Sequence, residues 1–452
     1  MFHRSLVSLT ALAAAAAAVA GSARALPSPA LEAQVVAIDR PSALVVYPTT
    51  DYGKKPTATD DRSGTTTWRV VQGTGNCCEN YLAATKGGRL LDFGGSFVNY
   101  TDDRGVSWHQ VRPLTPLVNG EGTVVVAPNG DVDAIGWDPY SGDHLQAFKY
   151  EAASGTWLYA EQPVHQPFYD REWITVLPGP FVVNGQTVPY LTFVKGGYPW
   201  KDPAFYSTDG LTYTDASSMF LDETTGTPVD GYLHTAADST FDWIQPNTGS
   251  GMTPLGAGGA LASGELTTDW GLLDPSTLSW RTFTFAGGVQ PRGLYQVDSG
   301  GRIDNVVPSG GGFDYRISAD GGQTWHSLSV ALPPGFSIDQ IDFRANKALG
   351  VAAVAVHALS SDTGNDQDFV YKLGIATSQP SLQRTYKVGK GDTGSAAGVG
   401  NSVRMDFQTV AILPDGRLAV SFLDSTTHYP SPTTGAEQTR PALAIEQTTT
   451  LH

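Results

Sequence analysis

Short apolar runs, each broken by a tight turn and followed at once by a second run, recur along this chain. Glu79 to Leu91 lies over Glu121 to Asp133 without a gap: in both, an apolar run enters a glycine turn and leaves it as another run. The same frame accepts Arg171 to Gly179, Asp230 to Ser239, Arg292 to Arg302 and Phe407 to Arg417, and more weakly Asp339 to Lys347. Downstream of five of these openings a further turn ends in an aromatic residue, at Trp108, Trp157, Tyr213, Trp280 and Trp325. Each unit therefore predicts an inner hairpin followed by an outer one. Ala43 to Tyr47 and Thr66 to Val71 have strand character but no frame of their own, and predict an outer strand that joins the last unit and removes an open edge.

Units recurring every ~40 to 70 residues are the signature of four-stranded propeller blades with loops of unequal length. The fold class is all-β, a single β-propeller of seven blades, or six if the Asp339 unit falls away, closed by an N-terminal strand. Composition agrees: Gly 51, Pro 29, 16% charged and 10% aromatic residues suit many short strands and tight turns. No long helical period and no low-complexity linker interrupts the chain after about residue 35, so one large domain is expected over residues 41–452.

Residues 1–25 carry His3 and Arg4, an apolar run from Leu6 to Ala20, and a small-x-small ending at Ala23 and Ala25, the pattern of a secretory signal peptide; residues 26–40 form an N-terminal segment. The run is short and alanine-rich for a membrane span, so a secreted, extracellular protein with no membrane partner is expected. Removing Arg4 and Arg24 takes the formal charge from -16 to -18, which argues against nucleic acid as a partner. The only cysteines are the neighbours Cys77 and Cys78. In an oxidising compartment they read as a strained vicinal disulfide or as two free thiols.

Two corners share a pattern of their own. Ser318, Asp320, Gly322, Thr324 and Trp325 fall where Thr101, Asp103, Gly105, Ser107 and Trp108 fall, and Ser207, Asp209 and Tyr213 form a shorter, degenerate copy. Such a corner makes sense as a hairpin turn in which the carboxylate accepts backbone N–H bonds, a glycine takes positive φ and the aromatic ring packs under the next strand. These three stretches resemble the Asp box of the BNR-repeat, sialidase-like β-propellers. That resemblance implies a structural role for Asp103, Trp108, Asp209, Asp320 and Trp325, on the outside of the blade.

Candidate chemistry sits at the first position of the frame, which reads Glu79, Glu121, Arg171, Asp230, Arg292, Asp339 and, one residue before Phe407, Asp406. Charge recurring at an equivalent position serves either a structural ion-pair ring or a funnel that grips an anionic sugar. Trp173, Tyr232, His234, Tyr295 and Arg404 accompany it; His234, within an apolar run, also suits a buried structural role. His165 lies in a proline-bounded loop, His109 and His326 follow the two good corners and read as surface residues, and His144, His357 and His428 carry no assignment. No His-Glu-x-x-His, Walker loop, Gly-x-Ser-x-Gly elbow or zinc cysteine set occurs, and no cofactor or metal is expected. Ser361 to Asp368 is rich in loop oxygens but departs from a calcium-binding EF-hand. Asn99 begins a formal glycosylation sequon.

Sialidases of the resembled family hold a sugar carboxylate with three arginines, use an aspartate as acid/base and a tyrosine with a glutamate partner as nucleophile. By position, Arg171, Arg292 and Arg404 match the arginines, Tyr232 or Tyr295 the nucleophile, and Asp230 or Glu121 the carboxylates, with Glu79 and Trp173 lining the sugar. The family's early Arg-Ile-Pro string is missing; the nearest strings begin at Arg302 and Arg316, late in the chain. The expected function is thus a sialidase-like exo-glycoside hydrolase cleaving a terminal acidic sugar, and a monomer. The alternatives are a uronate-directed polysaccharide lyase, since a seven-bladed propeller acting on an acidic sugar also resembles several such lyases, and a non-catalytic glycan-binding propeller.

Overall fold

The computed structural model describes strands and turns between residues 34 and 449; residues 73–80, 112–121, 222–252 and 389–408, and shorter stretches between strands, lie outside the described residues. The described residues form thirty-two strands and no helix, gathered into seven sheets of four or five strands. Apart from strands added at the outer edges, the first strands of these sheets are, in chain order, Tyr81–Ala84, Gly122–Val126, Asp170–Val183, Thr253–Pro254, Leu294–Val297, Phe336–Asn346 and Val410–Ile412. Each continues into antiparallel neighbours taken in sequence, as short turns demand.

Six of the seven frames open on or just before a first strand. In the fourth sheet the antiparallel run begins at Thr253–Pro254, well past the Asp230 frame, which itself lies outside the described residues, and Phe220–Leu221 adds at the far edge, parallel to Ser279–Phe283. The seventh sheet has three strands of its own, and Thr66–Gln72 completes it beside Glu437–Thr449, with Val70 opposite Ala444. Ala43–Val45 does not join it there. It adds instead to the first sheet beside Trp108–Val111, while Gln34–Ile38 adds to the second sheet and Ala58–Asp60 to the sixth. An outer strand needs only a free row of N–H and C=O groups, and each of these sheets offers one.

Four of the first strands are visibly buried on both faces. Consecutive residues of a strand point to opposite faces, yet Tyr81 and Leu82, Thr123 and Val124, Ile341 and Asp342, and Thr409 and Val410 are all buried. These pairs hold the third and fourth positions of the repeat frame. Neighbouring sheets supply the cover. Each first strand lies against the next in chain order, and Val410–Ile412 lies against Tyr81–Ala84. Apolar clusters fill the seams between the first and second, second and third, fifth and sixth, and sixth and seventh sheets. Another joins the seventh sheet to the first: Ala411, Leu413, Ala419, Leu443 and Ile445 against Leu82, Leu90 and Trp108.

The corners explain how the outer hairpins are set. Asp103 accepts from Ser107 N at 2.8 Å, Ser107 Oγ at 2.6 Å and Thr101 Oγ1 at 2.8 Å, with Gly105 at φ 82°. Asp320 accepts from Thr324 N at 2.9 Å and Thr324 Oγ1 at 2.6 Å, and Asp209 from Leu211 N and Thr212 N at 2.8 and 2.7 Å. The aromatic residue after the corner packs into the seam with the preceding sheet, rather than under its own next strand: Trp108 against the seventh sheet, Trp157 against the first, Tyr213 against the second. Trp68, on the strand that completes the seventh sheet, packs edge-on against Tyr386 of the sixth at 5.0 Å. Trp325 is only half-buried. Asn99 is fully buried, so the sequon is inaccessible in the folded protein.

Two outcomes are expected in urea denaturation. Trp108→Ala costs about 3–5 kcal/mol, because a seam loses a large buried ring, and Trp325→Ala costs clearly less. Asp320→Ala costs about 1–3 kcal/mol by stranding the donors of its turn. Equal losses for the two tryptophans would contradict their difference in burial.

Candidate functional site

Polar contacts across the seams join like ends of the sheets. Lys149 Nζ donates to Asp209 O at 2.5 Å, and Lys372 Nζ to Gly416 O at 2.7 Å. Gln296 and Ala345 exchange two hydrogen bonds at 3.1 and 2.9 Å. Arg104, at φ 59°, reaches Asp415 at 3.2 Å. The Arg89 guanidinium lies 4.0 Å from the Tyr100 ring and 4.8 Å from the Tyr150 ring. Every one of these groups stands at the end of its sheet that carries the corners and the turn after the first strand. The first strands of the joined sheets therefore begin on one common side, opposite the corners, and the first frame positions belong to that side.

Two of those positions are built into bulges. In the third sheet Asp170 pairs with Gly197 and Glu172 with Gly196, leaving Arg171 as the extra residue. In the sixth, Ile338 pairs with Ala358 and Gln340 with His357, leaving Asp339 extra. A bulge bends its strand and re-aims the side chains around it, and bulges concentrate beside functional sites. Trp173 and Tyr295 stand within first strands, at Lys195 and Asn305 in register. Glu79, Glu121, Asp230, Tyr232, His234, Arg292, Arg404, Cys77 and Cys78 lie outside the described residues, as do His165 and Asp406.

Sequence reasoning left one pair unassigned that the fold brings together. His357 Nδ1 meets Asp368 Oδ1 at 2.8 Å, with both side chains 1% exposed, on the second and third strands of the sixth sheet. Asp368 was legible only as loop oxygen; a separation of eleven residues across a hairpin leaves no motif to find. Among the described residues no group of three or more His, Cys, Asp or Glu side chains is arranged to hold a metal.

The corner side holds a different kind of polar cluster. Asp133, wholly buried between the second and third sheets, accepts from Thr192 Oγ1 at 2.7 Å and Tyr190 OH at 3.4 Å; Tyr190 also donates to Asp131 at 3.3 Å, which Lys149 approaches at 3.7 Å. Gly210, at φ 74°, abuts the Asp133 carboxylate so closely that any Cβ there would collide with it. Arg302 is buried too, paired with Asp304 at 3.0 and 2.7 Å and donating to Ile375 O of the next sheet at 2.9 Å. Arg316 pairs with Asp314 at 3.2 Å. Arg302 thus stands on the corner side, whereas Arg316 lies opposite Asn305, in register with Tyr295 of the first strand.

No protein-family model matches the chain, and no curated protein does. Among solved structures it is similar to a chain of the mitotic checkpoint complex, 10% identical, with TM-score 0.43 over 85% of this chain and 95% of that one. It is also similar to NanB sialidase of Streptococcus pneumoniae, 10% identical, with TM-score 0.36 over 83% and 70%. The Dos1 propeller is 8% identical, with TM-score 0.38 over 81% and 77%.

The Asp133 cluster has a pH signature. Burial pushes this carboxyl up to about 6, against the Thr192 hydrogen bond and the Lys149 charge that lower it. Its folded pKa lies above its ordinary value of 3.8, so the folded protein holds the proton more tightly. This contribution is fully present below the unfolded pKa and is lost as pH rises through the folded one. Asp133→Asn is expected to gain melting temperature relative to the unaltered protein as pH rises from about 4 to about 7. A difference that stays constant across that window would remove the assignment.

Proposed function

We propose that the seven sheets are blades of a closed β-propeller and that the side where its first strands begin binds an acidic glycan and cleaves it, as a sialidase-like exo-glycoside hydrolase. The unbroken cycle of first-strand contacts and the apolar cluster between the seventh and first sheets support the closed ring. The observation that carries the glycan reading is the pair of bulges that single out Arg171 and Asp339, equivalent positions of the repeat, on two first strands. A guanidinium offers a rigid two-donor fork for a carboxylate, and an acidic protein needs such local cations to hold an acidic sugar. In this reading Arg171, Arg292 and Arg404 grip the carboxylate, Tyr232 or Tyr295 attacks, and Asp230 or Glu121 handles the proton, with His234 beside them. The Asp-box corners favour hydrolysis by resemblance.

The number of sheets favours a second reading, uronate-directed elimination. There the arginines neutralise a uronate carboxylate, the neighbouring C–H becomes more acidic, and His234 or a tyrosine removes the proton. In either reading the working protein is a secreted monomer, residues 1–25 serving as its signal peptide.

Incubation with mixed acidic glycans separates these readings. Hydrolysis releases a reducing sugar without new ultraviolet absorbance, whereas elimination leaves an unsaturated, absorbing uronate. Binding without either product means a lectin-like role. Arg171→Lys is expected to keep the melting temperature and weaken binding of the acid, with Arg171→Ala weaker still. If the carboxylate-reduced glycan binds the unaltered protein as well as the acid does, Arg171 is a structural ion-pair member and the reading fails.

A further inference from the structure

Gln340, His357 and Asp368 stand in one row across the first three strands of the sixth sheet, Gln340 opposite His357 and His357 opposite Asp368. Directly opposed residues share a face of their sheet. That face is turned to the seventh sheet, because Ala353, Ala355 and Val370, in phase with the row, pack against Val410, Val420 and Phe422. An ionisable pair buried in a seam is costly, and such buried polar groups call for an explanation. The row begins at the bulge. There Gln340 is half-buried, its Oε1 is buried, and among the described residues no donor reaches that oxygen. A buried carbonyl oxygen without a donor is a standing cost that a ligand hydroxyl can relieve.

We propose that Gln340 is a hydroxyl-binding subsite for an uncharged sugar ring, and that His357, held by Asp368, is the positioning residue behind it. The proposal rests on the reading of this side of the molecule as a glycan site. The acidic sugar occupies the arginines, and the ring next to it presents its hydroxyls to Gln340, whose Oε1 accepts from one and whose Nε2 donates to another. Asp368 accepts from His357 Nδ1 and so sets the orientation of the ring beside Gln340 in register.

The test is calorimetric binding of sialyllactose and galacturonosyl-rhamnose, in each of which the ring next to the acid is uncharged, beside sialic acid, galacturonate and lactose. Gln340→Leu, which keeps the size and removes the amide, is expected to weaken the larger acidic probes about tenfold and leave the single acidic sugars unchanged, at unaltered melting temperature. His357→Leu follows it, and His357→Asn, whose amide keeps a donor toward Asp368, restores most of the affinity. A purely structural His357 lowers the melting temperature without moving the ratio of larger to smaller probe, which overturns its positioning role. Gln340→Leu is at a half-buried position and decides the subsite even where His357→Leu fails to fold. Unchanged affinities in Gln340→Leu, or equal losses for large and small probes, overturn the subsite. Gln340-dependent binding of lactose with no binding of any acid upholds the subsite and overturns the acidic-glycan reading, and binding of no probe overturns both.

Discussion

Burial of the first strands on both faces, seen in four of the seven sheets, is the constraint from which the rest of the molecule follows. A strand covered on one face only can alternate polar and apolar residues, but one wedged between two sheets must satisfy or remove every polar group it carries. The polar residues that do occur there are accordingly tied. Asp342, fully buried, accepts from Val410 N of the next sheet at 2.8 Å and from Arg344 at 2.6 Å. Desolvation raises its pKa in spite of both. Thr409 and Ser421 likewise bond one another, Thr409 N to Ser421 Oγ at 2.8 Å. Sheets that share strands' faces in this way cannot separate without exposing both apolar surface and unpaired polar groups.

The two sides of the molecule divide the remaining work. On the corner side, charged residues are spent on holding one sheet to the next: Lys149, Arg302 and Lys372 each donate to a carbonyl oxygen across a seam. Those carbonyls belong to turns or strand ends and need donors once buried. The exposed pair Arg104 and Asp415 contributes little by comparison, since solvent screens it. On the opposite side the regular ladder is broken by bulges at Arg171 and Asp339, and a buried acceptor at Gln340 awaits a donor among the described residues.

The N-terminal stretch binds the sheets from outside. Between residues 34 and 72 it contributes strands to the second, first, sixth and seventh sheets before the chain enters the first sheet at Tyr81. The seam between the first and last sheets is therefore spanned by continuous chain as well as by side-chain packing. Trp68 shows how far the substitution goes. It comes from a strand remote in sequence, yet it fills the place that Trp108 and Trp157 fill in their own sheets.

Local features were legible in the amino-acid sequence because they depend on neighbours in the chain. A carboxylate that caps its own turn, a glycine at positive φ, and a strand whose third and fourth frame positions are apolar or small each leave a short-range trace, as Asp103, Gly105 and Leu82 do. Thr66 to Val71 was also readable as a closing outer strand, since a strand without a partner of its own must find an edge. What only the tertiary structure decided is what long-range pairing decides. Ala43–Val45 and Thr66–Gln72 are equally good strands, and nothing in either indicates which sheet it joins. The aromatic rings after the corners point into the seam with the preceding sheet, a direction set by how sheets pack rather than by the turn. The row of Gln340, His357 and Asp368 exists because strand register aligns three residues from three strands. The bulge at Asp339 shifts that register by one, and such a shift leaves no mark on composition, spacing or hydrophobic period.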